Sequence, residues 1–157
     1  MVCVIAGCAS APPPRVPPKT VAVLPFANQS NDVGAAEYVR RTLAERLPAR
    51  RFTVRPLTEV DEALRNLGVS QGGQLRTLDP ANIAAATGAE LLLYGTVETF
   101  THIPAGVAEK RAVKVSARLV DATGRQRWVA TKSASNGDVN LGAVSSLGAF
   151  GKALGGQ

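Results

Sequence analysis

The stretch Thr20-Val21-Ala22-Val23-Leu24-Pro25-Phe26 contains no charge, and Val21 and Val23 favour an extended backbone. Pro25 and the polar run Ala27-Asn28-Gln29-Ser30-Asn31-Asp32 end it. A segment apolar on both sides of its alternation suits a strand covered above and below, with helices on each face of a largely parallel sheet. The chain after it reads as elements laid against this strand, and the chain before it reads as a tether.

The elements follow in order. Asn31 or Asp32 can cap a helix over Gly34–Leu47, in which Ala35, Val39, Leu43 and Leu47 recur every four residues beside Ala36. Glu37, Arg40, Arg41 and Glu45 are expected on its wet face, with Glu37 and Arg41 as an i,i+4 pair, and Pro48 stops it. Phe52-Thr53-Val54-Arg55 reads as a second strand ending at Pro56. Thr58 with Asp61 resembles a capping box for a helix Glu59–Leu67 that buries Val60, Ala63, Leu64 and Leu67. Gly68 then stands where a left-handed residue belongs, and Val69 is placed for the closing apolar contact.

Gln71-Gly72-Gly73-Gln74 reads as a loop, and Asp79-Pro80 as an N-cap and first residue of a short helix ending at Gly88. That helix offers Ile83, Ala84 and Thr87 for packing. Glu90–Phe100 is a long strand and Ile103-Pro104-Ala105-Gly106 a turn or longer loop. Ala112–Val120 alternates, with Val113, Val115, Ala117 and Leu119 on one side and Lys114, Ser116 and Arg118 on the other. Asp121-Ala122-Thr123-Gly124 turns the chain into a partner strand Arg125–Ser133 carrying Trp128. A final helix, Val139–Leu154, is weakened by Gly142, Gly148 and Gly151 and needs a partner surface. The expected fold is a single α/β sandwich over residues 20–157: a mixed parallel and antiparallel sheet covered by helices, a C-terminal β-meander and a last helix.

The total of 157 residues allows one domain with one sizeable core. The net charge of +6 would tolerate an anionic partner, but the basic residues are scattered, the densest group being Arg40, Arg41, Arg46, Arg50 and Arg51. Much of that group reads as the solvated side of a helix, so no nucleic-acid site is expected. No apolar run approaches the ~20 residues of a membrane-spanning helix.

At the N-terminus, Ile5-Ala6-Gly7-Cys8 resembles the bacterial lipobox. The resemblance implies cleavage before Cys8 and lipid on its thiol, residues 1–7 being the remnant of a signal whose true start lies upstream. Several acyl chains give a stable anchor where one is marginal. Ala9, next to the Cys, is not the Asp that retains lipoproteins at the inner membrane, which points to the outer membrane. Residues 8–19 include Ala11-Pro12-Pro13-Pro14-Arg15-Val16-Pro17-Pro18, a semi-rigid tether. With Cys3 removed, no thiol remains for a disulfide or a thiolate metal site.

Tests for chemistry give little. His102 is the single His and has no second imidazole or thiolate partner. No phosphate-cradling Gly-rich loop or nucleophile elbow is present. Asp61 and Glu62 are helix neighbours pointing apart, and Glu90 and Glu98 lie ~26 Å apart on an extended strand, so neither makes an acid/base pair. No enzyme activity and no cofactor are expected. Asn28, Gln29, Ser30 and Asn31 follow the C-terminal end of a central strand, where open α/β sheets place ligands, but the same residues make turns and caps. Candidate interaction residues are Asn28, Gln29, Arg40, Arg41, Arg50, Arg51 and Trp128, the last only if exposed.

Val21–Asn28 resembles the opening strand of the curli-secretion lipoprotein CsgG and of the TolB N-terminal domain. Ala85–Val97 resembles that group's helix-Gly-strand unit, and Val115–Gly124 with Trp128 resembles its hairpin. Thr58–Gly68 and Leu78-Asp79-Pro80 are similar to a family of small bacterial lipoproteins without settled function. The resemblance implies a non-catalytic envelope module of secretion, surface assembly or cell-envelope maintenance, acting by contact and self-association with an envelope complex. The chain is too short for the two amphipathic hairpins of a pore-forming member. The alternative reading is a soluble ligand- or nucleic-acid-binding α/β domain without an anchor.

Overall fold

The computed structural model describes residues 17–47, 49, 51–105 and 108–135. Six strands form one sheet: β1 (Lys19–Val23), β2 (Ala27–Asn28), β3 (Phe52–Val54), β4 (Leu91–Ala105), β5 (Ala108–Asp121) and β6 (Gln126–Ser135). Among the described residues three helices cover it: α1 (Ala35–Arg46), α2 (Leu57–Asn66) and α3 (Pro80–Thr87), with a 3₁₀ turn at Gly72–Thr77. The strand order is β3-β1-β4-β5-β6, and β2 also pairs with β4. Pairing of β1 with β3 and β4 is parallel, while β4-β5 and β5-β6 are antiparallel. The mixed sheet and meander therefore follow the expected architecture. The expected last helix, Val139–Leu154, lies outside the described residues.

The chain leaves β1 in one direction through α1 to β3. It then crosses β1 in the other direction through α2 and α3 to β4. Two crossovers of the same hand running in opposite directions must use opposite faces of the sheet. Two cores result. One holds Val21, Val23 and Phe26 with Val39 and Leu43 of α1; the other holds Ala22 and Leu24 with Val60, Leu64 and Ile83 of α2 and α3. Val21, Ala22, Val23 and Leu24 are each 0% exposed, as a strand covered on both faces requires. The α1 stripe Ala35, Val39, Leu43 and Leu47 is buried as its spacing predicts.

Arg40 corrects the sequence reading. It is not on the wet face of α1 but 2% exposed. Its Nε and Nη2 donate to the Val23 carbonyl at 3.1 and 3.0 Å. Its Nη1 and Nη2 grip the Asp61 carboxylate of α2 at 3.0 and 2.7 Å. The reason is geometric. Arg40 lies only about 20° round the helix from Leu47 and 40° from Ala36, at the border of the apolar stripe. β3 ends at Val54, so the Val23 carbonyl has no strand beyond it on that side, and the guanidinium takes the place of the missing partner. Glu37 accordingly approaches Arg40, at 3.6 Å, instead of making the expected pair with Arg41.

Other local expectations fared unevenly. α2 begins at Leu57 behind Pro56, with no side-chain cap, so the Thr58–Asp61 box does not form, and Asp61 serves Arg40 instead. Leu67 is half-exposed at the end of that helix rather than buried. Gly68 takes φ 79° and Val69 donates to the Leu64 carbonyl at 2.9 Å, closing the expected motif over a buried Val69. Asp79 accepts from the Ala81 N–H at 3.0 Å, and Gly88 ends α3 at φ 63°. Residues Gln71–Gln74, read as a loop, enter the 3₁₀ turn, where Gln74 Oε1 accepts from the N–H groups of Ser70 and Gln71. Ile103–Ala105, read as a turn, extends β4 against Ala108–Lys110.

At the β5-β6 turn, Gly124 has φ 81° and Asp121 collects the donors. Its Oδ1 accepts from the Thr123 hydroxyl and from the N–H groups of Thr123 and Arg125, and its Oδ2 from Arg127 Nε at 2.8 Å. The Thr123 hydroxyl above all, then the backbone N–H groups and Arg127, hold the Asp121 carboxyl down from 3.8 to about 2.

Two predictions follow from these contacts. Replacing Arg40 by Ala orphans the Val23 carbonyl and leaves Asp61 without its cation, so urea unfolding should show a loss of about 2–4 kcal/mol. Arg41→Ala on the exposed side should stay within about 0.5 kcal/mol, and equal effects of the two would contradict the assignment. A depressed carboxylate contributes stability that is present above its unfolded value of 3.8 and lost as pH falls through about 2. Denaturation midpoints of Asp121→Asn should therefore fall less steeply than wild type over that acid window; parallel curves would count against the turn's role.

Candidate functional site

The site is a groove of about 850 Å³ around the C-terminal end of β1. Its shape originates in the ladder to β4. Val23 pairs with Leu93 and Ala27 with Thr96, so Leu24, Pro25 and Phe26 stand opposite only Tyr94 and Gly95. One extra residue makes a bulge, and Pro25 suits it because it needs no ladder donor there. The bulge lays the Phe26 ring across Gly95, where an added Cβ would come within 2.3 Å of ring carbons. On the opposite side the 3₁₀ turn presses on the same bend, and a Cβ on Gly72 would lie 2.4 Å from the Pro25 carbonyl oxygen.

The start of α1, with Val33, Ala36 and Glu37, walls one side of the groove. Ser70–Gly73, Leu75 and Arg76 wall the other, and Tyr94–Thr96 and Arg118 stand behind. Arg118 sits over the Tyr94 ring, 4.7 Å from its centroid, an arrangement that orders a cation without neutralising it. Burial pushes the Tyr94 phenol above its ordinary 10.0, with Arg118 opposing and Asp79 adding, so the hydroxyl is neutral near pH 7. The groove thus offers two guanidinium groups, one carboxylate and a polar rim over an apolar floor.

Asn28 and Gln29 line this groove, as their position after a central strand suggests. The Asn28 side chain is committed to the turn. Its Nδ2 donates to the Asp32 carbonyl at 2.7 Å, and its Oδ1 accepts from the Ser30 N–H and hydroxyl. Gln29 is exposed and joined to the sheet through its N–H, which donates to Val97 at 2.8 Å. The remaining candidates do not gather here. Arg40 is buried between β1 and Asp61 of α2, Arg41 is exposed on α1, and Arg51 is half-buried beside β3. Arg50 lies outside the described residues, as does the proposed attachment point Cys8. Trp128 is neither exposed nor fully buried: on β6 opposite Leu119, it packs against the α1-side core.

Three basic residues of the β5-β6 hairpin have partners within the fold. Lys114 meets Glu98 at 2.6 Å, Arg127 meets Asp121, and Arg118 rests on Tyr94. The contacts of Lys114 and Ser116 hold the Glu98 carboxyl below its ordinary value. Among the described residues no group of three His, Cys, Asp or Glu side chains could hold a metal. No described helix is long and apolar enough to cross a membrane.

The sequence profile of the GNA1162-like lipoproteins matches residues 15–153, almost the whole chain. The chain belongs to the GNA1162-like lipoprotein family. Compared by sequence with curated proteins, it has no match. Among solved structures, lipoprotein GNA1162 from Neisseria meningitidis is 24% identical with a TM-score of 0.72, over 89% of this chain and 100% of that one. The PelC dodecamer from Paraburkholderia phytofirmans is 20% identical with a TM-score of 0.59, over 90% of this chain and 92% of that chain. The LpoB C-terminal domain from Escherichia coli is 20% identical with a TM-score of 0.52, over 80% and 88% of the two chains. At these identities the likenesses establish a shared fold.

In this GNA1162-like chain, sequence reasoning missed Arg76, Tyr94 and Arg118 as neighbours of Asn28 and Gln29. The available signal was Gly95, a glycine inside an otherwise apolar strand, which marks a close approach by another part of the chain. The two loop glycines give a test of the groove wall. Gly72→Ala forces its Cβ into backbone and should cost about 1–3 kcal/mol in urea unfolding. Gly73→Ala, with nothing within 4 Å of its Cβ, should be nearly neutral. Two neutral variants would mean that the 3₁₀ turn is not seated on Pro25.

Proposed function

We propose that this protein is an envelope lipoprotein anchored through acyl chains on Cys8, working by contact and self-association rather than by bond-making. The observation that carries the reading is family membership over residues 15–153, with Ile5-Ala6-Gly7-Cys8 standing just ahead of the matched segment. Residues 8–19 act as a proline-rich tether that holds the α/β domain away from the bilayer. Ala9 after the Cys favours the outer membrane, with the domain facing the periplasm. The fold shared with PelC, solved as a dodecamer, supports a self-associating role. An accessory of secretion, surface assembly or envelope maintenance is the finer reading; the solved structures that support it are GNA1162, PelC and LpoB rather than CsgG or TolB.

A purely nucleic-acid-binding role is disfavoured by how the charge is used. Arg40, Lys114 and Arg127 are each paired with a carboxylate inside the fold, so these three basic residues are not free to join one anion-binding surface. The groove could take a polar or anionic segment of a partner protein, with Arg76 and Arg118 as the cations available to meet it.

The anchoring claim is tested by producing the chain behind a complete lipoprotein signal in a bacterial host. Intact mass should show a mature chain beginning at Cys8 with acyl groups added, recovered in the detergent phase. Cys8→Ser should move it to the aqueous phase. An unmodified Cys8 thiol on a water-phase protein would refute the anchor.

A further inference from the structure

The lining of the groove at the end of β1 is charged unevenly. Arg76 and Arg118 are both exposed and both line it, and among the described residues neither has a carboxylate partner. The Tyr94 ring holds the Arg118 guanidinium at 4.7 Å. A ring face fixes the position of a cation and leaves its in-plane N–H donors open to a carboxylate. Tyr94 itself is only 9% exposed, yet its hydroxyl has no hydrogen-bond partner among the described residues. Asp79, whose charge reaches Tyr94, is committed to capping α3 through its Oδ1. Glu37 stands on the α1 wall, its side chain 64% exposed and 3.6 Å from Arg40. Buried Phe26 and Leu75 supply apolar lining, and Val33, which also lines the groove, is 95% exposed.

We infer that this groove seats an extended peptide segment of a partner protein that carries a single acidic residue, with its carboxylate on Arg118 and the Tyr94 hydroxyl, Arg76 adding attraction, and a neighbouring apolar side chain against Val33. This rests on the reading of the chain as a contact module and names what one of its surfaces takes. Charge and size choose the occupant. Two guanidinium groups against one carboxylate make the lining net positive, so an acid is the complement it lacks. A planar guanidinium held on a ring presents paired donors that match a carboxylate. Glu37 on the α1 wall opposes a chain charged at every unit, such as nucleic acid or an acidic glycan, because like charges brought together are costly. A segment with one acid brings no second charge to that wall. Phe26, Leu75 and Val33 favour an apolar side chain beside the acid, which an acidic glycan lacks. The groove's volume of about 850 Å³ is far more than a free carboxylate fills. It lies within the roughly 300–1,000 Å³ of sites that enclose drug-sized ligands, the bulk of a few residues.

The test is an NMR titration that follows the arginine Nε–H signals of the full chain carrying Cys3→Ser and Cys8→Ser. The probe is the blocked pentapeptide acetyl-Ala-Leu-Glu-Leu-Ala-amide, compared with its Gln analogue, with acetate and with heparin. The Glu peptide should shift Arg118 and Arg76 saturably and leave Arg41 unmoved. The Gln analogue, without the charge, should bind about tenfold more weakly. Arg118→Lys keeps the charge but loses the planar fork, so it should weaken the peptide on the order of three- to tenfold, while Arg41→Lys should not change it. Arg76→Gln, at an exposed position, should weaken it about two- to threefold. Glu37→Gln should tighten the peptide and let heparin bind, since the opposing carboxylate is gone. Far-ultraviolet spectra and urea midpoints check that each variant is folded. No saturable shift at Arg118, or equal shifts from the Gln analogue, would overturn the inference. Acetate or heparin matching the Glu peptide on the wild-type groove would make it a general anion site and would also overturn it. A protein acylated at Cys8 and multi-subunit in solution, yet unresponsive to the peptide, would overturn this seat while leaving the anchored, self-associating module standing.

Discussion

The buried guanidinium of Arg40 is the constraint on which the two-layer packing depends. β1 is the strand between the two cores, and its last carbonyl would be stranded where β3 stops. A charged donor supplied by α1, on one face, satisfies that carbonyl and then reaches Asp61 of α2 on the other. One side chain thus ties the central strand to a helix of each layer. Burying a cation is costly unless it is paired and hydrogen-bonded, and here both conditions hold. Asp61 retains 38% exposure of its side chain, so water shares the cost of keeping the pair charged.

That tie holds the end of β1, and the bulge beyond it builds the groove. Pro25 breaks the ladder, Phe26 closes over Gly95, and Gly72 lets the 3₁₀ turn rest against the same bend. Asn28 then spends its side chain holding the turn into α1. The groove is therefore shaped by backbone approach and small residues, while its polar character comes from Arg76, Arg118 and Tyr94 on neighbouring elements. It brings together no paired acid and base among the described residues. On the long hairpin Lys114, Arg127 and Arg118 meet Glu98, Asp121 and Tyr94, and β6 is the last strand of the sheet among the described residues.

Much of this fold was legible from local chemistry. The uninterrupted apolar run of β1 announced a strand covered on both faces, and Gly68-Val69, Asp79-Pro80 and Asp121–Gly124 announced their boundaries through specific backbone requirements. Those signals are short-range, and the structure preserves them. The misreadings share a different cause. Arg40 looks solvated to any rule that sorts residues by type, because only the arrival of β1 and α2 makes its position an interior one. Thr58 and Asp61 have capping-box spacing, but Pro56 starts the helix earlier and Asp61 answers a residue far away in sequence. The groove was half visible: Asn28 and Gln29 follow from their place after β1, whereas Arg76 and Arg118 enter it only through tertiary packing. Gly95 alone gave a hint, since a glycine in a buried strand asks what needs the space.

Side-chain hydrogen exchange of the arginine Nε–H groups by NMR at neutral pH tests the central tie most directly. The account predicts that the Arg40 Nε–H, bonded to the Val23 carbonyl and closed off from water, exchanges far more slowly than that of Arg41 on the same helix. Exchange at the same rate for both would mean that Arg40 is solvated, and that β1 is not held between the two layers in the way described.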